Sequence, residues 1–294
     1  MRRRRWTVGR VASLAVLVAF IAVTIFPFLW MVRTAFTPSA DLFTDTLSPV
    51  PKRPTLANFE RVLGLSTVEE AQAAGGSGAR MNFLLYLRNS VIYTAVTVAG
   101  QVFSCAMAGY ALTRLRFRGR GLVFGTFMAG LMVPPIFTLL PNFALVKDLG
   151  LLNTFGGLVA PSLLMTPFTI FFLRQFFLSI PTEVEEAAVL DGAGRWAVFW
   201  RVVLPMSRGP LLTISLTLAV WTWKDFLWPL LVAPDEGTRV LTAALSVFLQ
   251  QSPNSRPDWT GLMAAATLTV VPVLVLLVVF GRRLVDSINF SGGK

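Results

Sequence analysis

Long apolar segments alternate with short polar ones along the chain. Six of the apolar segments hold about 20 residues, the length that a helix needs to cross the hydrocarbon core of a bilayer. The pattern therefore predicts an all-α membrane protein with six transmembrane helices. The predicted spans are Val11–Val32, Ser90–Leu112, Gly121–Phe143, Phe155–Leu173, Gly209–Val232 and Leu262–Phe280.

Proline is frequent inside the predicted spans. Each proline removes a backbone donor and crowds the preceding turn, so that a helix bends or breaks there. A membrane tolerates such breaks when neighbouring helices or water satisfy the freed carbonyl groups. We therefore expect a bundle of kinked helices around a cavity. The prolines concerned are Pro27, Pro134, Pro135, Pro141, Pro161, Pro167, Pro229 and Pro272.

The basic residues concentrate in alternate polar segments, which predicts the orientation. Cytoplasmic loops of membrane proteins carry an excess of Lys and Arg, so we place residues 1–10 and the tail, residues 281–294, in the cytoplasm. Both termini are then cytoplasmic. Residues 11–280 form the membrane domain, and residues 33–89 form its largest external loop.

Composition supports a membrane protein and bears on nucleic-acid binding. The chain has 294 residues, of which 54% are hydrophobic and 14% charged, as is typical of membrane proteins. Its net charge of +11 is also typical of proteins that bind nucleic acid. Because the basic residues form no continuous stripe, we expect contact with membrane lipid and no binding of nucleic acid.

The residue types that many catalytic and metal sites need are scarce. The chain has no His and a single Cys, Cys105, which excludes His-ligated metal sites and Ser-His-Asp catalysis. No complete Gly-x-x-x-x-Gly-Lys-Ser/Thr loop for phosphate occurs, and we expect Ser291–Lys294 not to form part of one. We predict a non-catalytic chain with no catalytic residues, metal site or cofactor.

The external loop contains two local signals. Ser66–Glu69 has the spacing of a helix capping box, and Gly75–Gly78 predicts a flexible break after that helix. A surface loop of no further role and a docking element for an external partner both fit these signals.

Residues 174–208 form a cytoplasmic segment that is too long for a simple connector, and we expect a hairpin over residues 178–208 of it. We expect Ser179 to cap a helix over Pro181–Leu190, with acidic residues at the positive end of the helix dipole. Glycines then predict a tight turn. A second helix follows over Arg195–Val203 and ends at Leu204–Pro205, which gives a helical hairpin.

The predicted hairpin carries a motif at fixed spacing. Three residues separate a Glu-Ala-Ala group from a glycine, and nine more precede a Val-x-Leu-Pro group. This motif resembles the EAA loop of the membrane subunits of ATP-binding-cassette (ABC) importers. Its residues are Glu186, Ala187, Ala188, Gly192, Val202, Leu204 and Pro205.

Three further segments resemble the carbohydrate-uptake branch of these importers, of the maltose-permease type, and the likeness extends over nearly all of residues 7–294. The segments are Leu149–Thr154, Trp223–Leu230 and Asp258–Pro272.

The resemblance implies a MetI-like permease fold in a bacterial cytoplasmic (inner) membrane. It implies the permease subunit of an ATP-driven, binding-protein-dependent importer for a sugar or oligosaccharide. The implied partners are a second homologous permease subunit, two cytoplasmic ATPase subunits that hold ATP and Mg, and an extracytoplasmic solute-binding protein. The residues implied to couple transport to the ATPase are Glu186, Ala187, Ala188, Gly192, Leu204 and Pro205.

Polar residues inside the spans are candidates for the substrate pathway, because an intramembrane charge is costly unless it has a function. On a continuous helix Trp221 and Trp228 share the face of Lys224, which allows a cation–π contact or stacking against a sugar ring. An interfacial aromatic belt explains the Trp residues equally well. The candidates are Trp221, Lys224, Asp225, Trp228 and Asn142, with Gln101, Asn153 and the Pro134–Pro135 kink as lesser ones.

Two positions depart from the family and keep alternatives open. The family more often has Asn and Glu where this chain has Lys224 and Asp225. The added positive charge favours a phosphorylated, acidic or other small polar solute as an alternative cargo. The alternative from another class is a secondary transporter, which uses intramembrane ions directly and needs no docking hairpin.

Overall fold

In the described part of the chain, all regular structure in the computed structural model is helical. Contacts divide the chain into two compact units, Met1–Phe83 with Leu245–Val270 and Leu84–Ala244 with Val271–Lys294. The described residues are 8–44, 48–73, 81–246, 249 and 257–289, with side chains described as far as residue 281.

The helices are numbered in chain order. A short 3₁₀ turn lies at Ser39–Asp41, and α10 contains a π-helical turn at Phe199–Val203. The helices are α1 Val8–Ala35, α2 Ala57–Val62, α3 Val68–Ala73, α4 Phe83–Arg114, α5 Arg120–Gly130, α6 Pro135–Asp148, α7 Phe155–Val159, α8 Pro167–Ser179, α9 Thr182–Leu190, α10 Arg195–Met206, α11 Arg208–Trp223, α12 Leu227–Val232, α13 Leu241–Ala244 and α14 Trp259–Asn289.

The number of long apolar helices differs from the six predicted. Helices α1, α4 and α14 are long and apolar enough to cross a membrane. Two bent pairs qualify if each counts as one span: α5 with α6, bent by 100°, and α10 with α11, bent by 76°. The described residues therefore contain three to five candidate spans, and six unbroken helices are not what the structure shows.

Proline accounts for two of the breaks in the predicted spans. Helices α6 and α8 begin at Pro135 and Pro167, where the fixed φ suits a first turn and the preceding helix cannot continue through the ring. Pro27, Pro141 and Pro272 instead lie inside helices that continue past them. The third break, at residues 224–226, contains no proline.

A buried ion pair organises the first unit. Arg61 of α2 donates from Nη1 to Oδ2 of Asp258 at 2.6 Å, and the two side chains are only 5% and 3% exposed. The second carboxylate oxygen of Asp258 accepts the main-chain N–H of Gly261 at 2.9 Å, which caps the start of α14. Asn58 fixes α2 to the end of α1 by donating to the carbonyl of Ala35 at 2.9 Å. This polar network holds the segment after α1 in place.

We predict that Arg61→Leu destabilises the protein by about 3–5 kcal/mol, because it removes the Arg61 cation from a buried carboxylate. Arg53→Leu is the matched control: the Arg53–Asp41 pair, at 3.0 Å, has side chains 79% and 20% exposed, and exposed pairs contribute less than about 1 kcal/mol. The thermal unfolding midpoint of the purified variants checks this. Equal midpoints for the two variants contradict the prediction.

The capping box lies one residue later than predicted. The N–H of Glu70 donates to the Thr67 hydroxyl at 3.2 Å, and the N–H of Thr67 donates to the Glu70 carboxylate at 2.8 Å, at the start of α3. The Ser66–Glu69 assignment was therefore wrong in register. The Gly75–Gly78 break and the Ser291–Lys294 terminus lie outside the described residues.

The core of the second unit lies where α4, α8, α10 and α11 meet. Tyr110 of α4 packs on Phe199 of α10 with ring centroids 5.2 Å apart. This core joins the predicted hairpin to the long helices. Its most buried members include Cys105, Ile170, Leu173, Phe177, Val198, Phe199, Val203 and Ile214.

Candidate functional site

A cavity of about 800 Å³ lies in the second unit, beside the helix breaks that follow α7 and α11. Its wall combines aromatic rings, neutral polar side chains and two charged residues. The rings are Tyr93, Phe168, Trp221 and Phe226. The polar and charged residues are Gln101, Ser162, Thr166, Thr169, Thr222, Lys224 and Asp225.

The first break, residues 160–166, is held by polar side chains of α4. Met165 has a φ of 42°, a left-handed conformation that costs energy for a residue with a Cβ. Its N–H donates to the Ser104 hydroxyl at 3.1 Å, and the Thr166 hydroxyl donates to Oε1 of Gln101 at 3.2 Å. Irregular backbone at membrane depth needs such partners because lipid offers none.

Close approach between α4 and this break depends on Gly100. A Cβ at this position lies 2.4 Å from Cδ1 of Leu163 and 2.9 Å from its carbonyl oxygen. The flexible Leu163 side chain can move away. Its carbonyl cannot move alone, because it belongs to the 160–166 backbone, which also carries the cavity-lining residues Ser162 and Thr166. Gly100 therefore sets how closely the break packs on α4.

We predict that Gly100→Ala displaces the 160–166 segment and lowers transport several-fold, since overpacking costs about 1–3 kcal/mol. Gly125→Ala is the matched control, because a Cβ at this helical glycine of α5 has no neighbour within 4 Å. Initial rates of uptake into vesicles, normalised to the amount of assembled protein, give the comparison. Equal rates for the two variants count against the packing role.

The second break lies at residues 224–226, between α11 and α12. Lys224 is the C-cap of α11. The Asp225 carboxylate accepts the Tyr93 hydroxyl of α4 at 3.1 Å, and its carbonyl accepts the Thr242 hydroxyl at 2.5 Å. Trp228 of α12 donates from Nε1 to the carbonyl of Leu158 at 3.0 Å. The break is thus tied to α4, α7 and α13.

The Leu149–Thr154 segment explains how α12 ends. The N–H of Asn153 donates to the carbonyl of Val232, the last residue of α12, at 2.8 Å, and its side-chain oxygen accepts the N–H of Asp235 at 3.2 Å. Gly157 permits close packing here, because a Cβ would lie 2.3 Å from the carbonyl oxygen of Leu151. Asn153, a lesser candidate for the substrate pathway, therefore fixes the end of α12.

The hairpin predicted over residues 178–208 is present, with shifted ends. Pro181 is the N-cap of α9, whereas Ser179 belongs to α8 and donates to a carbonyl of that helix, so its predicted capping role was wrong. Gly192 turns the chain with a φ of 85°, a conformation natural to glycine. Helix α10 continues through Leu204–Pro205 to Met206 instead of ending before them.

The hairpin is fixed to the end of α4 by Arg114. Its Nε donates to Oε1 of Glu185 in α9 at 2.6 Å, and its Nη2 donates to the carbonyl of Ile180, also at 2.6 Å. The side chains of this ion pair are 13% and 12% exposed. The helix that supplies Tyr93 and Gln101 to the cavity is therefore also the helix that holds α9.

Comparison with known families decides what kind of protein carries this arrangement. The family model for the binding-protein-dependent transport system inner membrane component matches residues 100–289, which is more than half of the chain. The chain belongs to this family. Its members are transport components of ABC importers, so that a permease of the inner membrane accounts for the apolar helices.

Curated relatives match this permease over most of its length. It is 33% identical over 293 residues to the probable ABC transporter permease protein YurM of Bacillus subtilis, covering 99% of this chain and 91% of the relative. It is 31% identical over 278 residues to the diacetylchitobiose uptake system permease protein NgcG of Streptomyces coelicolor, with coverages of 94% and 86%. It is 28% identical over 282 residues to the trehalose/maltose transport system permease protein MalG of Thermococcus litoralis, with coverages of 95% and 94%.

A solved structure has the same fold. A chain of a bacterial ABC transporter involved in the import of the acidic polysaccharide alginate aligns with a TM-score of 0.78 at 21% identity. The alignment covers 95% of this permease and 98% of that chain. This likeness confirms the all-helical, MetI-like permease fold.

The structure brings several of the predicted pathway residues together. Trp221, Lys224 and Asp225 line the cavity of the permease, as do the lesser candidates Gln101 and Pro135. The predicted shared face with Trp228 was wrong, because α11 ends at Trp223 and the four-residue spacing no longer applies. Trp228 instead anchors α12, and Asn142 lies half-buried in α6, outside the group of cavity-lining residues.

The predicted coupling residues all lie on the hairpin. Glu186 and Ala187 are exposed on α9, Ala188 is half-buried, Gly192 is at the turn, and Leu204 and Pro205 are half-buried in α10.

Apolar side chains at the tip of the hairpin are also exposed. Leu190 is 88% exposed, Trp196 62% and Val189 56%. Exposed apolar patches occur where a surface contacts other proteins or lipid. The sequence analysis did not single out these three residues.

Sequence reasoning missed the polar face of α4. Tyr93, Thr97, Gln101 and Ser104 recur at three- and four-residue spacing and are all buried, and only Gln101 was noted, as a lesser candidate. The signal was available, because side chains at this spacing lie on one side of a helix. The surrounding apolar residues made the segment resemble any other span. The sequence analysis did not single out Arg114 either.

Proposed function

We propose that this chain is the permease subunit of an ATP-driven, binding-protein-dependent importer of a sugar or oligosaccharide. The proposal is carried by the cavity, whose wall includes two helix breaks. Helix α4 lines this cavity and also holds the hairpin. The cavity is the part of the translocation path that this subunit supplies. The hairpin is the part that an ATPase moves.

The cavity wall suits a saccharide. Aromatic faces pack against the C–H surface of sugar rings, and hydroxyl and amide side chains bind sugar hydroxyls. Trp221 and Phe168 provide such faces, with ring centroids 5.6 Å apart, and Gln101, Thr166 and Thr169 provide the polar groups. The names of relatives for diacetylchitobiose, arabinooligosaccharides and trehalose/maltose support this class of cargo.

The proposal includes partners and a membrane arrangement. One half of a pore needs a second homologous permease subunit, and two cytoplasmic ATPase subunits with ATP and Mg supply the energy. An extracytoplasmic solute-binding protein delivers the saccharide. We propose that the chain passes the inner membrane six times, with the bent and broken helices counted as passages, and has both termini in the cytoplasm. The exposed apolar surface of α1, whose most hydrophobic stretch is 0% buried, supports contact with lipid or with the second permease.

The test is reconstitution of the assembly that co-purifies with this chain from gently solubilised membranes. We expect the saccharide-loaded binding protein, added outside the vesicles, to raise ATP hydrolysis. Saccharide uptake should require ATP inside the vesicles, on the side of the ATPase subunits. Uptake by the chain alone, driven by an ion gradient without ATP, would favour the secondary transporter instead.

A further inference from the structure

One charged group in the cavity lacks a protein counter-ion among the described residues. Lys224 lines the cavity with an exposed side chain and forms no ion pair with a carboxylate in the described ranges. A cation beside aromatic rings and low-dielectric walls attracts anions more strongly than one in open water.

The neighbouring carboxylate does not serve as this counter-ion. Asp225 accepts the Tyr93 hydroxyl of α4 at 3.1 Å. Adjacent residues at a helix end point in different directions, and the Asp225 carboxylate is directed to α4. The cavity thus holds a carboxylate that is hydrogen-bonded to α4 and an ammonium group open to a ligand.

The rings beside Lys224 define where a sugar would lie. Trp221 precedes it by three residues on α11, and Phe168 packs against Trp221 from α8. A sugar ring stacked on this aromatic pair has its substituents within reach of the lysine side chain. Carboxylate and phosphate are the saccharide substituents that an ammonium group binds most strongly.

We propose that the cargo is an anionic saccharide and that Lys224 binds its carboxylate or phosphate group in the cavity. This inference rests on the proposed function, since it assumes that saccharides pass through the cavity. Lys224 is then the residue that distinguishes charged from neutral cargo within this subunit.

The test compares matched pairs of probes in the reconstituted assembly. One pair is a uronic-acid-terminated disaccharide and its carboxyl-reduced counterpart, and the other is a disaccharide phosphate and the free disaccharide. We expect the wild type to import the charged probe of at least one pair. Lys224→Met should raise the KM for uptake of that charged probe about 10- to 100-fold, the effect of losing one charge-assisted hydrogen bond. Lys224→Arg should largely retain its uptake.

Lys147→Met is the control, because Lys147 is an exposed lysine near the end of α6 that does not line the cavity. It should leave every KM unchanged. ATP-dependent import of neutral members alone, or equal changes in KM for charged and neutral members in Lys224→Met, overturns the inference and leaves the proposed function intact. Absence of ATP-dependent uptake of every probe overturns the proposed function itself.

Discussion

Gly192→Asp is expected to abolish ATP-driven uptake while the protein still folds and enters the membrane. The residue has a φ of 85°, and a Cβ there meets no atom of this chain within 4 Å. The local cost is therefore limited to about 1–2 kcal/mol of backbone strain. A complete loss of uptake exceeds what this strain explains and must arise where the turn contacts another protein. The Asp side chain and its negative charge would occupy space that the partner needs. Uptake and ATP hydrolysis in proteoliposomes provide the measurement.

Gly119→Asp is the matched control for this variant. Gly119 also lies in an exposed turn, has a φ of 82° and has open space around its Cβ position. It carries the same strain and the same charge outside the hairpin. We expect its uptake to remain close to that of the wild type. Equal losses in the two variants point to strain alone and contradict a contact at the hairpin turn.

Arg114→Met is expected to lower uptake about tenfold or more while ATP hydrolysis continues. The substitution removes the ion pair with Glu185 and the hydrogen bond to the carbonyl of Ile180. Breaking a largely buried pair costs about 3–5 kcal/mol, and the loss here falls on the joint between α9 and α4. A movement of the hairpin is then transmitted less effectively to α4, the helix that lines the cavity. The ratio of saccharide imported to ATP hydrolysed is the quantity to compare.

A charge exchange distinguishes this joint from general damage. The double variant Arg114→Glu with Glu185→Arg restores the ion pair in reverse and should recover part of the ratio that each single substitution loses. Arg118→Met is the control, because Arg118 is exposed in the loop before α5. No recovery in the double variant, or an equal loss in Arg118→Met, contradicts a specific role for the joint.

The sequence predicted the parts of the fold that local signals determine. Apolar length identified α1, α4 and α14, and the turn at Gly192 follows from the conformational freedom of glycine. The EAA-like spacing located the hairpin before any contact was known. Within that hairpin the helix ends were shifted, since Ser179 had a carbonyl partner in α8 that the sequence alone does not reveal.

The cavity could not be predicted from the sequence to the same extent. Its walls depend on breaks in two predicted spans, which become stable through contacts from a helix distant in the chain. Ser104 binds the backbone of one break, and Tyr93 binds Asp225 in the other. Hydropathy averages over such positions and predicts continuous helices. Proline signalled the break before α8, and Pro229 signalled a bend in the fifth predicted span, but not that α11 ends as early as Trp223.

The proposed function requires that this cavity opens alternately to the two sides of the membrane under control of the ATPase. The sole cysteine, Cys105, is fully buried, so a Cys105→Ser background with Thr222→Cys in the cavity wall gives a single reporter. Arg118→Cys, in the exposed loop before α5, is the control and should label alike in every state.

Labelling of the Thr222→Cys reporter with a membrane-impermeant maleimide is the most direct measurement, applied from each side of the membrane with and without trapped ATP. We predict labelling from the external side when ATP is trapped and from the ATPase side when nucleotide is absent. Labelling from one side only, or labelling that does not change with nucleotide, would contradict alternating access through this cavity.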